Sequence, residues 1–122
     1  MSLRVCEQNL TVQAIILNRG VTIMKEPIIA EITVVPLGTA TTSVSRYVAA
    51  CLDTLKQAQD IIYQPTAMGT IIQGPLERVL KLAQEMHEVP FSMGAKRVAT
   101  TITIDDRRDK PITIEGKVKA IS

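Results

Sequence analysis

A chain of 122 residues with a net charge of +2 is long enough for one packed domain and too evenly balanced for a strong single-sign field. Hydrophobic residues make up 46% of it, which argues against intrinsic disorder. Aromatics stop at Tyr47, Tyr63 and Phe91, so there is no stacking platform for single-stranded nucleic acid, and the core falls to Ile, Val, Leu, Ala and Met.

Residues 1–24 differ in texture from the rest of the chain. A second methionine, Met24, precedes the first regular element, and the segment reads as an N-terminal tail or extension, with an edge strand over 12–17 as the alternative. The apolar run 10–17 is too short, and too interrupted by Gln13, for a membrane span or a signal segment. Cys6 and Cys51 stand apart without metal or redox spacing, as suits a reducing cytoplasm. No cluster of His, Cys or acid residues has metal-ligand spacing, and no phosphate loop or nucleophile-plus-base pattern is present.

The domain begins at residue 25. Residues 28–35 alternate as a strand, with Ile28, Ala30, Ile32 and Val34 on one face and Ile29, Glu31, Thr33 and Val35 on the other. Both faces are largely apolar, so the strand is expected at the centre of a sheet, and Glu31 is its odd residue. Pro36 and Gly38 break it. Thr42 or Ser43 is the expected N-cap of a helix over 44–59, whose apolar face carries Val44, Tyr47, Val48, Cys51, Leu52 and Leu55.

A strand over 61–67 comes next, placed at an edge by Pro65, then a Met68-Gly69 turn and a short strand over 70–73. Pro75 is expected at the first position of a second helix buried through Leu76, Val79, Leu80, Ala83 and Met86. Pro90 should stop or bend that helix near residue 88 or 89. The β-branched run 97–104 is the last strand. Thr113 is a candidate cap for a terminal helix seamed by Ile114, Val118 and Ile121.

The order β-α-β-β-α-β defines an α+β, ferredoxin-like sandwich: an antiparallel four-stranded sheet with two helices on one face. A bare reverse face holding Ile29 and Val35 would be an exposed apolar patch. Another copy of the same sheet is the simplest cover, so a symmetric homo-oligomer is expected.

Three segments in this layout are specific when taken together: AEITVVPLGTATTSVSRYVA, AMGTIIQG and MHEVPFSMGAKRVATTITIDDRRDKP. From Ile28 to Ile121 the chain resembles a family of small ferredoxin-like thiamine-binding proteins found in bacteria, archaea and yeast. The resemblance implies a cytoplasmic homo-oligomer, a tetramer built as a dimer of dimers, that binds thiamine or its hydroxymethylpyrimidine half without transforming it. It implies no cofactor, metal, nucleic-acid or membrane partner. Residues 1–23 lie outside the pattern, and Gln73 stands where it favours an acid.

A thiamine-like ligand would need an acceptor for its amino group, partners for its ring nitrogens, and a carboxylate or π-face for the thiazolium cation. Glu31 and Thr33, with Thr101 and Thr103 beside them on the last strand, offer a carboxylate and hydroxyls. The competing reading pairs Glu31 with an arginine across a subunit interface. The hydroxyl run 39–45, with Thr42 and Ser43 foremost, is either a ligand contact or ordinary loop capping. Met68, Gly69 and Thr70 are either a turn over a core methionine or a place where backbone approaches a flat ring. His87 reads as a partly buried, satisfied side chain, and residues 105–109 as arginine–carboxylate pairs across a two-fold axis. An alternative function is a regulatory or structural module whose ligand controls the assembly of a partner.

Overall fold

The computed structural model describes residues 26–122. The expected tail over 1–24, the alternative strand within it and the domain boundary beside it lie outside the described residues. Seven elements run in the order β1 (Ile28–Pro36), α1 (Ser45–Lys56), β2 (Ile62–Pro65), β3 (Thr70–Gly74), α2 (Leu76–Ser92), β4 (Val98–Asp105) and α3 (Ile114–Ala120).

The sheet runs β2-β3-β1-β4, antiparallel throughout, which is the ferredoxin-like arrangement. β1 is central because both its faces carry apolar, mostly β-branched residues. It pairs with β3 from Ile28↔Gly74 to Ile32↔Thr70 and with β4 from Ile29↔Asp105 to Pro36↔Val98. Its even-numbered side chains face the helices. Ile28, Ala30 and Ile32 join Ile72 of β3, Cys51 and Leu55 of α1, and Val79, Leu82, Ala83 and Met86 of α2 in one buried core. No aromatic side chain joins that cluster, although Tyr63 packs against it and Tyr47 is buried nearby on α1.

Several boundaries differ from expectation for identifiable reasons. The cap of α1 is Val44, with no side-chain hydrogen bond, rather than Thr42 or Ser43. The Ser43 hydroxyl meets that of Ser45 instead, and elsewhere in the loop Thr39 donates to the Thr41 carbonyl at 2.7 Å and the Thr41 hydroxyl accepts from the Ser43 amide. Pro75 is the N-cap of α2, one position before its first helical residue. Pro90 does not end that helix, which continues to Ser92. A proline at this position deprives the Met86 carbonyl of its i+4 donor. The Cys51 thiol donates to that carbonyl instead, at 3.4 Å, so the helix passes through the proline with its backbone satisfied. Gly94, at φ 104°, supplies the turn beyond the helix.

The reverse face is not bare. Thr113 caps α3 by accepting from the Gly116 amide, and the Ile114 amide donates to Gln73 Oε1 at 2.9 Å. Gln73 opposes Ile29 and Ile62, so it projects from the reverse face and anchors α3 there. Lys117 adds an ion pair to Asp105 at 2.8 Å. Val118 and Ile121, expected as a seam, are instead 56% and 87% exposed, so α3 is fixed by polar contacts at Ile114 and Lys117 rather than by an apolar stripe. Within the chain, Arg107 and Arg108 fork onto Asp109 and Asp106 two residues away.

Candidate functional site

One end of β1 opens into a cleft of about 290 Å³. The strand supplies one wall through Ile32, Thr33, Val34 and Val35. The start of α1 supplies the opposite wall through Val44 and Val48, Cys51 and Met86 lie at the bottom, and the β2–β3 turn arches over the mouth. Every side chain lining it is uncharged. Burial pushes the Cys51 thiol above its ordinary pKa of 9.0, so it stays protonated and adds no charge.

The turn over the mouth is rigid for local reasons. Thr66 accepts from the amides of Met68 and Gly69 through its hydroxyl, which also donates to the Gly69 carbonyl at 2.7 Å, and the Thr66 amide donates to the same carbonyl. Thr33 then donates to the Met68 carbonyl at 3.3 Å, tying the turn to β1. Gly69 lies so close to the strand that an added Cβ would stand 2.9 Å from Thr33 Oγ1 and 3.2 Å from the Ile32 carbonyl. Only glycine fits there without displacement. This holds Met68, 82% exposed, at the lip of the opening.

Thr70 is the polar group that sets the character of the cleft. It is 5% exposed and faces the opening, and its hydroxyl has no partner among the described residues. A buried hydroxyl without a partner forfeits about 1–3 kcal/mol, so such a group points to something that fills the space.

The residues expected to form a site divide clearly. Thr33, Met68, Gly69 and Thr70 come together on the cleft. Glu31 stands just outside, exposed on the reverse face, with its Cγ 3.4 Å from where a Gly69 Cβ would lie. It makes no ion pair among the described residues. Thr101 opposes Thr33 on the reverse face and does not reach the cleft. Thr42 and Ser43 are exposed in the loop, one step from Val44, which does line it. His87 makes a 2.7 Å hydrogen bond with Thr100 and packs its ring edge-on to Phe91, away from the cleft.

Val44, Val48, Cys51, Thr66 and Met86 do not stand out in the sequence as candidates for this site. Their periodicity marks a buried helix face, and no pattern distinguishes a side chain that meets core from one that meets a hollow. Among the described residues no group of acids, histidines or cysteines is placed to hold a metal, and no helix is long and apolar enough to cross a membrane.

The described residues form a ferredoxin-like α+β domain with a neutral, hydroxyl-rimmed cleft at one end of its central strand. The profile of the thiamine-binding protein family matches residues 30–122, and the chain belongs to that family. It is 46% identical over 97 residues to the UPF0045 protein YqgV of Bacillus subtilis, covering 77% of this chain and 93% of that one. The crystal structure of the hypothetical protein MJ1052 from Methanocaldococcus jannaschii superposes with a TM-score of 0.73 at 37% identity, covering 80% of this chain and 97% of that one. A Thermotoga maritima protein with 21% identity and a TM-score of 0.65, covering 79% of this chain and 99% of that one, shares the fold.

Proposed function

We propose that this protein is a non-catalytic binding protein for thiamine or its hydroxymethylpyrimidine half, working in the cytoplasm as a homo-oligomer, a tetramer assembled from dimers. The observation that carries the reading is the buried, unpartnered Thr70 hydroxyl on an uncharged cleft, in a chain of the thiamine-binding protein family. A volume of about 290 Å³ sits at the small end of ligand cavities, where the lower bound is about 300 Å³. The apolar walls accept the flat faces of a ring, while the Thr70 hydroxyl is offered to a ring nitrogen or an amino group. Glu31, exposed on the reverse face beside Gly69, is the nearby carboxylate this reading gives to the thiazolium cation. The reading has no role for a cofactor or metal.

Thermal unfolding of the full chain with added thiamine or hydroxymethylpyrimidine tests this. A ligand at a hundred times its Kd stabilises the fold by about 2.7 kcal/mol through mass action, a rise of several degrees in Tm, with the ligand recovered unchanged. An unmoved melting curve with both compounds at millimolar concentration, or a chemically altered ligand, would contradict it.

A further inference from the structure

β4 lies at one edge of the sheet and is built like a strand awaiting a neighbour. Its sequence VATTITID holds no lysine or proline, and its ladder with β1 is unbroken by any bulge. The opposite edge, β2, is four residues long and ends at Pro65, the ordinary protection of an edge. The Leu37 amide donates to the Arg97 carbonyl at 2.8 Å, which turns Arg97 and every second residue after it toward β1. The backbone N–H and C=O groups of Val98, Thr100, Ile102 and Ile104 therefore point away from the sheet. The side chains of Ile102 and Ile104 are left 39% and 40% exposed on the helix-bearing face.

We propose that a second copy of this chain docks along this edge, antiparallel, with the two-fold axis at Thr101, so that one sheet runs through both copies. This rests on the homo-oligomer proposed above and gives it one of its interfaces. A two-fold perpendicular to a sheet pairs residues whose side chains share a face. Centred on Thr101, it sets Val98 against Ile104 and Thr100 against Ile102, using all four outward-facing residues. Centring on Thr100 or Ile102 would push Ile104 or Val98 past the end of the other strand. The same register sets Arg97 against the partner's Asp105 and Lys96 against the partner's Asp106. Neither cation has an ion pair among the described residues. Asp105 uses one carboxylate oxygen for Lys117 and keeps the other open, and Asp106 is already forked by Arg108. On the helix-bearing face, Ile102 and Ile104 gain cover from the partner's Thr100 and Val98.

The register is directly testable, because Thr101 would face its own copy as a non-hydrogen-bonded pair with Cα atoms about 4.5 Å apart, within disulfide reach. The full-length variant Thr101→Cys, in a Cys6→Ser background and under mild oxidation, should become a covalent dimer. Thr103→Cys in the same background, facing Ala99, should not. In the wild-type protein, amide exchange at Thr100, Ile102 and Ile104 should be slowed on the order of a hundredfold relative to an open edge. This readout stands even if a cysteine variant fails to fold. Cross-linking through Thr103 alone would overturn the register. Unprotected amides in a protein that still sediments as an oligomer would overturn the edge interface but leave the assembly standing, whereas a wild-type monomer would remove both. Protected amides in a well-folded Thr101→Cys variant that does not cross-link would also overturn it, as expected if residues 10–17 or another strand lay there instead.

Discussion

The Cys51 thiol donates to the Met86 carbonyl across 3.4 Å, and Met86 is the residue whose own helical donor is removed by Pro90. A thiol on one helix thus completes the backbone of the other, and both residues lie at the bottom of the cleft. Cys51→Ala should cost about 1–3 kcal/mol in denaturant unfolding, because it orphans a buried carbonyl. In a Pro90→Ala background, where the helix can supply the N–H itself, the same change should cost clearly less. Equal costs in the two backgrounds would mean that the thiol acts only as filler.

The same thiol gives a pH signature. Its pKa is raised by burial from 9.0, so the folded state holds the proton more tightly than the unfolded chain does. Its contribution to stability should be complete below the unfolded value and decline as pH rises through the folded one. Reaction of Cys51 with a thiol reagent at neutral pH should await unfolding. Rapid modification of the native protein would contradict its burial.

Much of this frame is legible in the sequence, and the parts that are not share a cause. The period-two pattern of β1 and the Thr113 cap are local signals, and the structure follows them; the apolar stripe of α2 holds except at Leu80, which is 42% exposed while Leu82 is buried in its place. Pro90 misleads because what keeps its helix intact is a donor 35 residues away, and no local rule contains that. Ser43 misleads as a cap because its hydroxyl meets that of Ser45 instead, and the cap falls one residue later, at Val44. The cleft is half visible: its turn announces itself through Gly69 and Thr70, while Val44 and Val48 at the start of α1 look like core until the hollow beside them is seen.

Thr70→Val separates binding from folding. The hydroxyl has no partner among the described residues, so its removal should leave stability unchanged or slightly higher. Affinity for the bound ring should fall about tenfold, the equivalent of one hydrogen bond. A loss of stability with unchanged affinity would show that the hydroxyl serves the fold.

Gly69→Ala probes the close approach that holds the turn over the cleft. With the new methyl 2.9 Å from Thr33 Oγ1, the turn must lift, at about 1–3 kcal/mol in unfolding and with weaker ligand binding. Adding Thr33→Ala should recover part of the loss but not all of it, since the Ile32 carbonyl at 3.2 Å remains.

The forks at the chain's charged turn should matter little at neutral pH. Hydrogen bonds from Arg108 and Arg107 hold the Asp106 and Asp109 carboxyls below their ordinary pKa of 3.8. Their contribution is therefore present above that value and lost only as pH falls through the depressed folded one. All four residues are exposed, so Arg108→Ala should leave the Tm at pH 7 unchanged. A large drop would place that arginine in a contact beyond the single chain.

Backbone NMR of the isotopically labelled protein during titration with thiamine and with hydroxymethylpyrimidine tests the central claim most directly. The account predicts saturable shifts confined to the amides of residues 32–35, 44–51 and 66–70, together with Met86. Absent shifts, or shifts centred instead on Thr101 and the reverse face, would contradict it.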